Sequence, residues 1–219
     1  MQNKLTAEQL EANFELHLKI IDKYLSPDRA EKVKAMIQDL AEDYVVAPAS
    51  GKKWYHGAYP GGYLVHVNNV VRLALKQVQF YKSLGGTIDF TEEELVFSAL
   101  FHDLGKVGDG TKPNYVPQTS EWHVKNQGSI FVNNPELDFM LIPDRSLFVL
   151  QKYGIPVTQK EYLAIKLHDG MFEESNKAYY VSFNPDARLK TNLCHILHVA
   201  DLLAARLEQD LENKDEHEQ

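Results

Sequence analysis

The chain has 219 residues, 44% of them hydrophobic, which is enough for one compact domain with a real core. Its single cysteine, Cys194, excludes an internal disulfide and a thiolate zinc site, so any metal must be held by imidazole and carboxylate groups. The net charge is −8, of which the last twelve residues (EQDLENKDEHEQ) carry −5; the body lacks the Lys/Arg runs of a long nucleic-acid binder, though a local groove for a short single strand is compatible with it.

No stretch approaches the roughly 20 apolar residues of a membrane span, so a soluble, cytoplasmic protein with no membrane partner is expected. An oligomer is compatible with this composition. Helical periodicity dominates the chain. LTAEQLEANFELHLKIIDKYL reads as a first helix and SPDRAEKVKAMIQDLAEDYVV as a second, with Ser26 as N-cap and Pro27 in its first turn. A loop with Pro48, Gly51, Gly57, Pro60, Gly61 and Gly62 follows, and YLVHVNNVVRLALKQVQFYKSL then makes a long helix ended by Gly85-Gly86. Thr91 with Glu94, and Thr158 with Glu161, have capping-box spacing and open the helices EEELVFSALFHD and QKEYLAIKLHD. Asn184-Pro185 is expected to open the last long helix, DARLKTNLCHILHVADLLAARLEQ.

Between Gly105 and Pro143 the helical period is missing, and EWHVKNQGSIFV reads as two short extended runs around Lys125-Asn126-Gln127-Gly128, a small β-hairpin. Irregular segments of such length are often functional, and this one follows directly on His102-Asp103, so it is expected to wall or cover a site. The fold expected is all-α, with six to seven main helices. Residues 1–45 would pack on a core domain of 46–207, with an acidic tail at 208–219 fraying into solvent.

Four helices carry groups able to converge on one cation. His66 lies on the third, His102-Asp103 and His168-Asp169 each close a helix, and His195, His198 and Asp201 share the last. Such a mixed nitrogen and oxygen set suits a divalent ion such as Mn, Fe, Ni, Co, Mg or Zn. In LFHDLGK, Gly105 allows a sharp exit from the helix and Lys106 is placed to meet an anion. Arg145 is a second candidate for that task. His56 sits in a glycine-rich loop whose backbone can approach a ligand, beside Trp54, Tyr55 and Tyr59, which can stack on a base. Each of these residues also has an ordinary structural role available: a hydrogen-bonded imidazole, a charge at a helix end, or a packed ring. His198, one turn before Asp201, is assigned to the core or to supporting a ligand, and His17, His195 and His217 to structure or surface.

In their order and setting, His66 in GGYLVHVNNV, the pair in FHDLGK and Asp201 in LHVADLLAAR resemble the HD-domain superfamily of metal-dependent phosphohydrolases. The upstream KKWYHGAYPGGYLVH is similar to a subgroup that includes exoribonuclease-related proteins and phage or bacterial hydrolases, and the likeness continues through VTQKEYLAIKLHDG. The resemblance implies an HD-domain helical bundle and a divalent cation held by His66, His102, Asp103 and Asp201. It also implies a role for His168 at a second metal or its water. A two-metal site needs one more histidine, for which only His123 is available, so one ion or two stays open. The implied reaction is hydrolysis of a phosphate ester, with Lys106, His168 and Asp103 catalytic and His56, Lys106, Arg145 and Tyr59 touching substrate. A mononucleotide, dNTP or small signalling nucleotide is the expected substrate. The alternatives are a 3′-end exonuclease on short single strands, a non-catalytic nucleotide-sensing module, and a two-iron oxygenase.

Overall fold

The computed structural model describes residues 5–217, with side chains through residue 214. Its described residues form ten α-helices and one two-stranded ribbon, so the all-α expectation holds at the level of class. Helix α1 (Ala7–Tyr24) opens with a full capping box: the Thr6 hydroxyl accepts from the Gln9 N–H, and the Gln9 side chain accepts from the Thr6 N–H. Helix α2 (Pro27–Asp39) has Pro27 in its first turn, but Ser26 does not cap it. The Ser26 N–H and hydroxyl donate instead to Glu93, at 3.1 and 3.0 Å. A partner from elsewhere in the chain has displaced the local cap. The second helix is also not continuous; it stops at Leu40, and α3 (Ala41–Val46) starts directly after it. The break lets Tyr44 bury its ring edge-on against Tyr63, with centroids 5.4 Å apart.

Helices α4 (Gly62–Ser83) and α5 (Glu92–Phe101) form the centre. Every residue of α5 from Leu95 to Phe101 is buried, because α1, α4, α8 (Gln159–Lys166) and α10 (Leu193–His217) pack around it. The Thr91/Glu94 and Thr158/Glu161 capping boxes open α5 and α8 as their spacing predicts. Helix α7 (Ile142–Lys152) packs on the tight turn Leu104–Lys106 that follows α5.

The segment after His102-Asp103 does contain a β-ribbon, but not the expected one. Strand β1 (Tyr115–Pro117) pairs antiparallel with β2 (Phe131–Asn133), Tyr115 opposite Asn133. EWHVKNQ between them is helix α6 (Glu121–Gln127), closed by Gly128 at φ +57°. Helix α9 (Lys177–Tyr180) is a single turn. The last helix starts at Leu193 and not at Asn184-Pro185, because local side-chain bonds compete with the helix there. Asn184 Oδ1 accepts from the Asp186 N–H, and Asn192 is tied to Asp89 and Thr87. At its other end, α10 continues through His217 where a frayed tail from 208 was expected, and Glu208 is buried. Among the described residues, no helix is long and apolar enough to cross a membrane.

Candidate metal centre

Three imidazoles enter the interior with one ring nitrogen already committed. His102 Nδ1 lies 2.9 Å from the Ala99 carbonyl, and His168 Nδ1 lies 2.8 Å from the Ile165 carbonyl, in each case three residues back along the chain. His66 Nδ1 lies 3.1 Å from Glu208 Oε2. These oxygens only accept, so Nδ1 is the donor in all three rings and Nε2 is left facing the cavity. There the carboxylates converge. His66 Nε2 is 3.0 Å from Asp201 Oδ1 and 3.7 Å from Asp103 Oδ2; His102 Nε2 is 3.4 Å from Asp103 Oδ2 and 3.8 Å from Asp201 Oδ1. His168 Nε2 is 3.5 Å from Asp103 Oδ1 and 3.6 Å from Asp169 Oδ1.

Despite this proximity, His66 Nε2 and His102 Nε2 are buried with no hydrogen-bond partner. Nitrogen and oxygen atoms aimed at a common point, rather than at each other, are what a shared cation needs. The electrostatics agree. Burial works hardest against a charged His66, yet Glu208 and Asp201 outweigh it and push its pKa up to about 9. Burial is likewise outweighed at His102 by Asp103 and Asp201, which push it up to about 10. Burial also acts to raise Asp103 and Asp201, but the surrounding cations hold both well below the usual carboxylate range: Lys106 and His102 for the first, His102 and His66 for the second. The cluster thus draws positive charge to itself, and a divalent ion would supply it at the same place. Three donor groups there, His66–His102–Asp201, His102–Asp103–His168 and His56–His66–Glu208, each have their ligand atoms within 4.8 Å of one another. The residues fit a metal.

Above the cluster is an open cavity of about 230 Å³, walled by His56, Lys106, His168, Asp169, His198 and Phe172, with Ile142, Leu202 and Ala205 as apolar surface. Lys106 Nζ lies 2.6 Å from Asp103 Oδ2. Asp103 more than offsets the burial that would lower the Lys106 pKa, so the ammonium stays charged. His56 reaches the site because Gly57 and Gly62 meet backbone to backbone, an approach that a Cβ on Gly62 would block. Its ring centroid is 4.4 Å from that of His66, and burial pulls its pKa down to about 2, so it is a neutral wall. His198 is held by its Nδ1, 2.7 Å from the His168 carbonyl, and sits over Gly170, whose φ of +57° and lack of a Cβ make room for the ring.

Three expected site residues are elsewhere. Arg145 is buried, with its guanidinium donating to the Asn114 side chain and to the Asp138 carbonyl at 2.7 Å, so it braces the segment after His102-Asp103 and does not line the cavity. His123 is exposed on α6, its Nδ1 2.7 Å from Ser120 Oγ, and belongs to none of the donor groups. Tyr59 is buried outside the cavity wall, its phenol pushed up by burial and by the neighbouring Glu212 and Glu208. Conversely, Glu208 was consigned to the tail, yet it accepts from His66, accepts from Asn69 Nδ2 at 2.8 Å, and lies 4.0 Å from His56 Nε2. Its signal was present: it lies seven residues after Asp201, two helical turns along the same face. Comparison of the chain with protein-family models, curated proteins and solved structures gave no match.

Proposed function

We propose that the protein is a metal-dependent phosphohydrolase of the HD type, cleaving a phosphate ester of a nucleotide. The observation that carries this is the pair of orphaned, buried Nε2 atoms of His66 and His102, set against Asp103 and Asp201 beneath a lysine-lined cavity. Those four residues would hold the ion, with His168 flanking it. Bound there, a divalent cation would supply an activated water, its pKa lowered from about 15.7 toward about 7, and a positive charge for a phosphoryl oxygen.

The chain's own groups do the rest. Lys106 keeps its charge at the cavity wall, where it can hold the substrate phosphate and balance charge as the ester breaks. At His168, burial is outweighed by Asp169 and Asp103, which raise its affinity for a proton. With Nδ1 tied to Ile165, its Nε2 is the atom that can accept a proton from water or return one to the leaving oxygen. Neutral His56 adds a hydrogen-bonding wall without adding charge. A cavity of about 230 Å³ suits a phosphate and the sugar next to it, with Phe172 at the mouth for a base.

The test is direct. Full-length protein loaded separately with each of several divalent ions is incubated with a nucleotide panel. Release of phosphate or nucleoside that chelation abolishes and His102→Ala eliminates is expected. Nucleotide binding without turnover under every ion would replace the hydrolase by a sensing module.

A further inference from the structure

The chain's two tryptophans, Trp54 and Trp122, are both left 59% exposed, and Tyr55 is 55% exposed beside the first. Isolated exposed aromatics are common, but these stand on two segments zipped together. The Lys53 N–H donates to the Gly128 carbonyl at 2.8 Å, Lys52 bridges to Ser129, and Trp54 Nε1 donates to the Gln127 carbonyl at 3.1 Å at the end of α6, which carries Trp122. The Trp54 ring is therefore fixed at its edge, packed over Gly128, and its backbone carbonyl is tied to Gln209 of α10 at 3.3 Å. A rigid, exposed indole is a platform rather than a flexible surface side chain. Lysine surrounds it: Lys53 Nζ stands 4.3 Å from the ring centroid, and Lys52 and Lys125 are exposed on the same two segments, where Glu121 is the one acid. Acids approach the same loop from α10, where Glu212 accepts from the Gly57 N–H at 2.9 Å, so the three lysines offer phosphate contacts without making the whole face basic. His56, two residues past Trp54, is part of the wall of the candidate cavity.

We propose that this surface is a binding platform for single-stranded nucleic acid, with a base stacked on Trp54, a second on Trp122, and phosphates on Lys52, Lys53 and Lys125. Every base has a π-face, so such stacking is tolerant of sequence, and the lysines contact the backbone alone. Whether a bound strand is cut rests on the proposed hydrolase reading; the binding does not.

Because the only tryptophans lie in the platform, the intrinsic fluorescence of the full chain reports on it. In chelator, where no turnover competes, a ten-nucleotide oligothymidylate is expected to quench tryptophan emission, while a ten-base-pair duplex and dextran sulfate leave it unchanged. With a labelled strand followed by anisotropy, Trp54→Ala is expected to weaken binding about tenfold and Trp54→Phe to retain most of it. Lys53→Ala should lower the salt dependence by close to one released counterion. Equal quenching by dextran sulfate would reduce the patch to a plain anion site, and equal affinity of Trp54→Ala and wild type would remove the stacking; either overturns the proposal. Nucleotide turnover without strand binding would leave the hydrolase standing and sink the platform. Strand binding without hydrolysis of any nucleotide or strand would do the reverse.

Discussion

Two clusters of buried charge stand at the two ends of α5, and they are built in opposite ways. At its N-terminal end, Arg29 donates to both oxygens of Glu161 and to the Pro156 carbonyl, all at 2.7 Å, lies 3.5 Å from Glu93, and stacks on Phe97 with its guanidinium carbon 3.4 Å from the ring centroid. Glu161 also accepts from the Thr158 N–H, and Glu93 from Ser26. Both carboxylates are engaged, and the cluster locks α2, α5 and α8 together. At the C-terminal end, carboxylates crowd around imidazoles whose Nε2 atoms have no hydrogen-bond partner. The first cluster pairs its carboxylates fully and leaves Arg29 Nε alone without a partner, so its charges largely offset their desolvation within the cluster. The second leaves the Nε2 atoms of His66 and His102 unpaired among carboxylates, which is the arrangement the proposed metal would complete.

The sharpest way to break this contrast is to remove one residue from each end. Asp103→Ala is expected to lose the metal and to lower turnover on the order of 1000-fold or more, while far-ultraviolet circular dichroism stays helical. Glu161→Ala should do the opposite. It strands Arg29 in the interior and should cost about 3–5 kcal/mol in urea unfolding, while the folded fraction binds metal as tightly as wild type. A Glu161 variant that folds fully but has lost its metal would erase the distinction between the two clusters.

A third buried group adds a pH dependence that belongs to neither cluster. His17 is carried by α1 and bonded to α4 and α3, its Nδ1 3.0 Å from Asn68 Oδ1 and its Nε2 2.8 Å from the Tyr44 hydroxyl. Burial, only partly opposed by the bond to Asn68, pulls its pKa down to about 4. The unfolded chain takes up this proton near pH 6.5, whereas the folded protein refuses it until about pH 4. Stability is therefore full above about pH 6.5 and falls across that window, by about 3 kcal/mol in all. Urea midpoints of chelated protein between pH 7.5 and 4 should show the decline, and His17→Gln should make it shallower, leaving the part that buried His56 contributes over the same window. The same slope in that variant would place the acid sensitivity elsewhere.

What was legible in the sequence was local, and what was missed involved distant partners. The Thr91–Glu94 and Thr158–Glu161 boxes were readable because a cap is made within four residues. His66, His102-Asp103 and Asp201 come together because α4 and α10 pack on each other and on α5, at whose end the His102-Asp103 pair stands. Ser26 failed as a cap because Glu93, 67 residues on, takes its hydroxyl. Arg145 was offered as a phosphate ligand because nothing nearby claims it, but Asn114 lies 31 residues back. His123 suffered from a strand period read into seven residues that make two helical turns. Glu208, 142 residues from His66, was hidden by composition: an acidic run reads as a solvated tail, and one of its acids is not.

That glutamate sets the finest of the expected differences. Its Oε2 accepts from His66 Nδ1 while its Oε1 accepts from Asn69, so the carboxylate fixes the ring's tautomer and lends negative charge to its far nitrogen. A carboxylate in that position makes the imidazole a stronger metal ligand, and losing it costs about 10- to 100-fold in metal affinity. Glu208→Gln keeps one accepting oxygen for His66 but loses the charge, and its amide confronts Asn69, which can rotate its own amide to answer. It should sit near tenfold. Glu208→Ala loses both the acceptor and the charge and should sit near 100-fold. A competitive chelator titration separates the two. If Glu208→Ala binds metal as wild type does, the tautomer of His66 is set by the cation itself, and the open cluster at the end of α5 needs no support from α10's acidic end.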